Sequence, residues 1–238
     1  MSPNPQSFID HLRSEGYHPR SDKHSNSLAR AIAEDLTAYC PAIQDLAIAG
    51  SLVYDINFTL RAGTADWNVD LVLGRPATVE PPSGTAIRQS TPSSIQIAIE
   101  LKAVMTEHRK AVKNRKRDLE AHHEHVHNYD NEAIAGGVLI INAAPVFKSP
   151  LRTTSTQHRD PDRLVEHCVG SLRSVSSRGG KTGYGLEAAC ALVVDLGNES
   201  RGHATFVDSL PAPQVGDPLH YDSFIQSICE QYRRRFGT

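Results

Sequence analysis

The apolar residues of this chain recur with two different periods, which predict strands alternating with helices. The strand-like runs are short, apolar and rich in β-branched residues, and they cover 45–61, 66–73, 95–103, 134–143 and 186–196. The helix-like segments, which have apolar residues three and four positions apart, cover 26–39, 105–127, 160–175 and 221–236. A further short strand is predicted at 203–208, and the Pro- and Ser-rich segment 75–94 is predicted to be a loop.

The order of these segments predicts the fold class. Strands that follow one another directly favour antiparallel neighbours, whereas strands separated by helices favour parallel ones. We therefore expect an α/β fold with a mixed central β-sheet flanked by helices, as one domain over 1–238. Its core is expected at about 26–210, with an N-terminal extension over 1–25 and a C-terminal helix over 221–236.

The amino-acid composition is that of a globular domain rather than of a membrane-spanning protein. The 238 residues are 39% hydrophobic and 22% charged, with a net charge of −2, which are values of a globular domain. No run approaches the roughly 18 apolar residues of a membrane span, and the first residues lack the pattern of a signal peptide. We expect a cytoplasmic protein without a membrane partner. The four cysteines, Cys40, Cys168, Cys190 and Cys229, are widely spaced and are expected to be reduced thiols.

Candidate chemistry lies on two of the predicted strands. Asp70 is in the middle of one strand, and Glu100 and Lys102 follow the apolar run of the next. Side chains alternate along a strand, so Glu100 and Lys102 share one face while Leu101 points to the other. Two carboxylates and a lysine in one pocket are the minimum set for Mg²⁺-dependent phosphodiester cleavage. The alternative is an exposed Glu–Lys pair at the end of an edge strand.

A basic helix is predicted directly after the Lys102 strand. Its cationic residues are Arg109, Lys110, Lys113, Arg115, Lys116 and Arg117. A helical cluster of this kind beside the site is suited to contacts with DNA phosphates, which do not depend on sequence. A solvated surface helix is the alternative interpretation.

Four histidines occur in the segment His122-His123-Glu124-His125-Val126-His127. On a helix, His123 and His127 are one turn apart, a spacing that can hold a metal, and a zinc-dependent hydrolase is the hypothesis this raises. The spacing matches no common zinc motif. A place near DNA phosphates, or on the plain surface, is the preferred interpretation.

Taken together, Asp70, Glu100-Leu101-Lys102, the basic helix and the following apolar strand resemble the PD-(D/E)xK, or restriction-endonuclease-like, nucleases over roughly 28–145. Val69 stands where the motif has proline. The resemblance implies a restriction-endonuclease-like core and a Mg²⁺ ion, for which Mn²⁺ can substitute. Its ligands would be Asp70, Glu100, the backbone carbonyl of Leu101 and, from the preceding helix, Glu34. Lys102 would orient or activate the attacking water.

The expected function is therefore a Mg²⁺-dependent endonuclease acting on double-stranded DNA, most simply a bacterial type II restriction enzyme. Such an enzyme is expected to be a homodimer, because two-fold symmetry lets each subunit cut one strand of a palindrome. A DNA repair or recombination nuclease and a non-catalytic nucleic-acid-binding module on the same fold are the alternatives. A subgroup of these nucleases holds an iron–sulfur cluster, but the three later cysteines are too scattered for its compact C-terminal group.

Overall fold

The computed structural model describes residues 3–62, 65–106, 109–199 and 202–237, without the side chains of residues 62, 65, 109 and 110. The helices are Gln6–Glu15 (α1), Lys23–Tyr39 (α2), Pro41–Ile48 (α3), Arg109–Tyr129 (α4), Pro161–Arg173 (α5) and Tyr221–Phe236 (α6). The strands are Val53–Ala62 (β1), Ala65–Gly74 (β2), Arg88–Gln89 (β3), Ile97–Val104 (β4), Ile134–Asn142 (β5), Val146–Phe147 (β6), Thr156–Gln157 (β7), Ala188–Asp195 (β8) and Thr205–Phe206 (β9).

Within the described ranges, seven strands form one sheet in the order β3-β1-β2-β4-β5-β8-β9, and β6 pairs with β7 in a separate ribbon. The early strands β1, β2 and β4 are antiparallel neighbours, whereas β4, β5 and β8 run parallel. The prediction of an α/β fold with a mixed central sheet is confirmed. The helices α4 and α5 supply the crossovers that parallel neighbours require.

The helices cover both faces of this sheet. Apolar side chains of α1, α2, α3 and α6 pack together against one face, in a layer that we call the α2 layer. Side chains of α4 and α5 pack against the other face, in the α4 layer. Along β4, Ile97, Ile99 and Leu101 belong to the α2 layer, whereas Ala98 and Val104 belong to the α4 layer. Glu100 and Lys102 occupy the alternate positions between Ala98 and Val104, so their side chains also face α4.

Two N-terminal segments differ from the prediction. Residues 45–48 end a helix, so the strand expected over 45–61 begins only at Val53. Pro41 stops α2 but also occupies the first turn of α3, where its fixed φ suits a helix, and Ile43 and Ala47 form the buried face. The expected extension 1–25 contains α1, whose Phe8, Ile9 and Leu12 are at most 1% exposed and belong to the α2 layer.

The cysteines correct a second expectation. Cys40 and Cys229 form a disulfide with a Cα separation of 5.5 Å, so the prediction of reduced thiols is wrong for this pair. The pair is 189 residues apart in sequence, and only the packing of α6 beside the junction of α2 and α3 brings them together. Cys168 and Cys190 are free and buried, and burial raises the pKa of Cys168 to about 12. Among the described helices, none is long and apolar enough to cross a membrane.

Candidate active site

The two carboxylates predicted from sequence meet where β2 and β4 separate. Backbone pairing of these strands covers Leu73↔Ile97 to Leu71↔Ile99 and then stops, so Asp70 and Glu100 are the first residues beyond it. Oδ2 of Asp70 accepts a hydrogen bond of 2.8 Å from the backbone N–H of Leu101. The Asp70 side chain thereby takes the place of the backbone acceptor that β2 no longer offers to β4.

Lys102 joins the two carboxylates. Its ammonium forms an ion pair with Oε1 of Glu100 and lies 3.5 Å from Oδ2 of Asp70. Burial lowers the pKa of Lys102, but Glu100 and Asp70 together outweigh burial and hold that pKa above its usual value. Lys102 is therefore a cation at neutral pH. The structure brings Asp70, Glu100 and Lys102 into one cluster.

Glu100 is nearly completely buried, with 2% of its surface exposed. Burial raises the pKa of its carboxyl to about 8, against the opposing effect of Lys102. Its second oxygen, Oε2, has no hydrogen-bond partner among the described residues and lies 3.6 Å from Nδ1 of His122, which also has none among them. The other ring nitrogen of His122 lies 3.2 Å from the carbonyl of Ala98 and donates to it, so Nδ1 carries a lone pair. Within the part of the chain that the structure describes, Glu100 thus has one oxygen that lacks a partner.

A cleft of about 160 Å³ opens beside this cluster, and Asp70, Leu101 and Lys102 line it. Its other walls come from the turn between α1 and α2, from the start of α2 and from α4. They include Tyr17, Ser21, His24, Ser25 and Arg115. Four of these five residues lie in the segment 1–25, which carries no motif, so nothing in the sequence indicated that this segment contributes to the site. The cleft is wide enough for an ion and a phosphate group rather than for a whole base pair.

His24 holds the turn in place. Its Nε2 accepts a hydrogen bond of 2.8 Å from the backbone N–H of His18, so its proton is on Nδ1, which lies 3.1 Å from Nε2 of His11. Its ring stacks on Tyr17 with a centroid distance of 4.8 Å. Burial, assisted by the neighbouring His11, lowers the pKa of His24 to about 4. Both nitrogens are engaged, so His24 acts here as a structural residue of the cleft wall.

The basic helix is α4, and its first turns lie beside the cleft. Arg115 donates from Nε to the carbonyl of Ala103 at 3.3 Å and from Nη1 to Asp118 at 2.8 Å. Lys116 pairs with Glu120 at 3.4 Å, whereas Lys113 and Arg117 are exposed. The side chains of Arg109 and Lys110 lie outside the described residues. Of the predicted phosphate contacts, Arg115 is therefore fixed at the cleft, and Lys113 and Arg117 face solvent.

The histidines of α4 correct the preferred interpretation. His122, His123 and His127 are buried, so surface placement is wrong for all three. His127 accepts from Nη1 of Arg178 at 2.6 Å through Nδ1 and lies 2.9 Å from the carbonyl of Gly185 through Nε2. Its ring centroid is 6.4 Å from that of His123. Since both nitrogens of His127 are engaged, this pair does not offer the two free nitrogens that the zinc hypothesis requires. His125 stacks on Trp67 instead.

Glu34 lies apart from the carboxylate pair. It is exposed, and its charge acts on Asp35 and on Tyr54, which pairs with Leu73 at the other end of the β1–β2 ladder. Ser25, which does line the cleft, is about 13 Å away along the axis of α2. The structure thus brings Asp70, Glu100, Leu101 and Lys102 together and does not bring Glu34 to them.

Comparisons of the chain with protein-family models, with curated proteins and with solved structures gave no match. Within the described residues, no group of three or more His, Cys, Asp or Glu side chains is arranged to hold a metal ion. Any metal at this site would therefore rest on two carboxylates together with backbone, water or substrate oxygens.

Proposed function

We propose that the protein is a Mg²⁺-dependent DNA endonuclease of the restriction type. The observation that carries the proposal is the meeting of Asp70, Glu100 and Lys102 at the point where β2 and β4 separate. The order of a helix, the strands β1 to β4, the basic helix α4 and the parallel strand β5 supports the resemblance to the PD-(D/E)xK nucleases. Asp70 and Lys102 line the open cleft, and the buried Glu100 adjoins them through its ion pair with Lys102.

The residues at this point suit Mg²⁺. The ion prefers oxygen ligands and commonly binds through one or two carboxylates, with water and phosphate oxygens completing its shell. Asp70 and Glu100 supply two carboxylates, and Oε2 of Glu100 is a buried oxygen that has no partner in the described ranges. Asp70, Glu100 and the carbonyl of Leu101 would hold the ion. When bound, Mg²⁺ lowers the pKa of the water that it binds and neutralises negative charge on the phosphate.

Lys102 is suited to stabilise charge rather than to accept a proton. Two neighbouring carboxylates keep its pKa above the usual value, so it is an ammonium and a hydrogen-bond donor at neutral pH. A fixed ammonium in a partly buried site stabilises the negative charge that develops on the phosphate oxygens. It can also donate to the attacking water and hold it in line. The resemblance implies products with 3′-hydroxyl and 5′-phosphate ends.

The proposed substrate is double-stranded DNA. Arg115 lies at the cleft, and Lys113 and Arg117 extend the positive charge along the exposed side of α4. Contacts of this kind fix the position of the duplex without reading its sequence. A homodimer would place a second active site on the opposite strand, as cleavage of a palindrome requires.

Incubation of the purified protein with plasmid and genomic DNA tests this proposal, with Mg²⁺ in one arm and EDTA in the other. We expect Mg²⁺-dependent cutting into discrete fragments, whose sequenced ends share one site. Preference for branched DNA would instead indicate a repair nuclease, and binding without cutting would indicate a non-catalytic module. Activity that a zinc chelator abolishes but Asp70→Asn leaves intact would contradict the assigned site.

A further inference from the structure

The pairing of β1 with β2 is interrupted opposite Asp70. The ladder runs from Val53↔Gly74 to Ala62↔Ala65 in one constant register and omits a single pair, Asn57 and Asp70. Asn57 has a φ of 55°, in the left-handed region that non-glycine residues rarely adopt within a strand. The irregular residue therefore lies directly across from one of the proposed metal ligands.

The apolar faces of the hairpin change sides at this point. Residues at every second position of a regular strand point to the same face. Here the residues nearer the base of the hairpin belong to the α2 layer, and they are Tyr54, Ile56, Leu71 and Leu73. The same series of every second residue continues toward the tip of the hairpin, but there its side chains belong to the α4 layer. These residues are Phe58, Leu60, Trp67 and Val69. Both strands thus change phase between Ile56 and Phe58 and between Val69 and Leu71.

Asp70 is the residue at which β2 changes phase. In an unbroken alternation with Leu71, its side chain would stand on the α4 face, like that of Val72. It instead reaches across to β4, where Oδ2 accepts from the backbone N–H of Leu101. The change of phase therefore turns the carboxylate from the α4 face, where Glu100 and Lys102 stand, toward the backbone of β4, where the pairing of the two strands ends.

Asparagine side chains hold this irregular conformation. Nδ2 of Asn57 donates to Oδ1 of Asn26 on α2 at 2.9 Å. With the Asn68 amide oriented to satisfy its neighbours, its Nδ2 donates to the carbonyl of Asn57 at 2.9 Å and to that of Phe58 at 3.3 Å. These bonds replace the backbone bonds that the interrupted ladder lacks, and they tie the hairpin to the helix whose first turn lines the cleft.

We propose that Asn57 is a positioning residue, whose left-handed conformation turns β2 so that the Asp70 carboxylate binds the backbone N–H of Leu101, beside Lys102, instead of standing on the α4 face. The role in cleavage rests on the proposed function, whereas the effect on Asp70 does not. Backbone conformations of this kind are costly and persist mainly where function requires them. Asparagine is suited to the position, because it tolerates the left-handed region better than other residues with side chains and can hydrogen-bond locally.

Two substitutions separate conformation from side chain. Asn57→Val strongly disfavours a positive φ, whereas Asn57→Gly accepts it and removes only the amide. We expect Asn57→Val to lower kcat for Mg²⁺-dependent DNA cleavage by about 100-fold with little change in KM, the effect of misplacing a reacting group by about 1 Å. Asn57→Gly should cleave at least about ten times faster than Asn57→Val. Thr59→Val, an exposed β-branched substitution on the same strand, should behave like the wild type.

The hydrogen exchange of the Leu101 amide, measured by NMR, tests the same inference without cleavage. The amide should be protected in the wild type and in Asn57→Gly and Thr59→Val, and it should lose protection in Asn57→Val and in Asp70→Ala. A wild type that cuts no DNA would defeat the proposed function but leave this result meaningful. If Asn57→Val does not fold, Asn57→Ala takes its place. The inference is overturned if a folded Val or Ala variant keeps the protection, or if Gly loses it to the same extent.

Discussion

Two buried glutamates lie beside α4, Glu100 within β4 in the cluster with Asp70 and Lys102, and Glu187 directly before β8 at the start of the parallel strands. Glu100 lies 3.6 Å from a nitrogen of His122, and Glu187 lies 3.5 Å from a nitrogen of His127. Both side chains are at most 3% exposed, and burial raises the pKa of both carboxyls. The two sites are alike in their burial and in having a histidine of α4 as a neighbour.

They differ in how completely their hydrogen bonds are satisfied. Oε1 of Glu187 accepts from Arg235 at 2.8 Å and lies 3.3 Å from Arg178, and Oε2 accepts from the backbone N–H of Ala135 at 2.8 Å. The two arginines bond in turn to backbone carbonyls on neighbouring segments. Glu100 forms an ion pair with Lys102, and its Oε2 has no hydrogen-bond partner among the residues that the structure describes. A buried carboxylate whose oxygens all have hydrogen-bond partners joins elements of the fold. A buried carboxylate with an oxygen that lacks a partner, next to a second carboxylate and a cleft, is a candidate catalytic or metal-binding residue.

The same substitution at both sites gives the largest expected contrast. Glu187→Gln leaves two buried arginines without their anion and should lower the free energy of unfolding by about 3–5 kcal/mol. Glu100→Gln should change it by less than about 1 kcal/mol, because the ion pair it removes is offset by the desolvation cost of a buried carboxylate, and Asp70 remains beside Lys102. Chemical denaturation of the two variants and the wild type measures both values. Equal destabilisation at the two sites would show that Glu100 is also a structural anchor.

DNA cleavage, in contrast to stability, should depend more on the residues around Glu100 than on those around Glu187. Lys102→Ala removes the ammonium expected to stabilise charge on the phosphate and should reduce Mg²⁺-dependent cleavage by about 10²–10³-fold while DNA binding persists. Asp70→Ala should also abolish cleavage, and it should tighten binding in the absence of metal because it removes a negative charge beside the phosphates. Single-turnover cleavage and a binding titration in EDTA separate these effects. Lys181→Ala, an exposed lysine at the Glu187 end, is the control. Turnover like that of the wild type in either site variant would defeat the assignment.

The sequence predicted those parts of the site that depend on local periods. Alternation along one strand places Glu100 and Lys102 on one face, and direct succession of strands makes β2 and β4 antiparallel neighbours. Those two rules bring Asp70 into the cluster. The same reasoning found most helices and strands, because each has an apolar face of constant period. It failed at α3, since an eight-residue helix followed by a strand resembles one apolar run.

What the sequence did not reveal depends on contacts distant along the chain. Arg178, Glu187 and Arg235 form one cluster, but they belong to a loop, a strand edge and the last helix, and nothing local marks them as partners. The disulfide of Cys40 and Cys229 is hidden for the same reason. The change of phase at Asn57 could not be predicted from the sequence for a different reason. Apolar residues alternate regularly through that point in both strands, so the pattern predicts a regular hairpin.

A smaller effect is expected from the exposed cations of α4. If Lys113 and Arg117 contact phosphates, replacing both with alanine should lower the slope of log affinity against log salt by about 0.9 per contact, or about 1.8 in total. Sequence preference should survive, since phosphate contacts position the duplex and base contacts specify it. The matched control is the double variant Lys181→Ala with Arg234→Ala, two exposed cations away from the cleft. Titrations on cognate and random duplexes at several salt concentrations measure the slopes. An unchanged slope would indicate a solvated helix, and a changed cleavage site would indicate a base-reading one.

The smallest expected effect concerns the two histidines that accompany the glutamates. Burial lowers the pKa of His127 to about 4 and that of His122 to about 3, so both are neutral in the folded protein at pH 7. An unfolded histidine binds a proton near pH 6.5, so the unfolded state gains protons first as the pH falls. The stability each histidine contributes is therefore complete above about pH 6.5 and is lost as the pH falls toward its folded-state pKa.

Replacing either histidine by glutamine should remove that dependence. Between pH 7 and 5.5, the wild type should lose about 1 kcal/mol more stability than His127→Gln or His122→Gln does. His167→Gln, at an exposed position of α5, is the control and should follow the wild type. Denaturation at several pH values gives the slopes, and the slope is the proper quantity to compare because each variant also alters packing. Acid slopes equal to that of the wild type would mean that these histidines already bind protons in the fold. In that case Nδ1 of His122 would carry a proton toward Oε2 of Glu100, and the contrast between the two glutamates would disappear at the cleft.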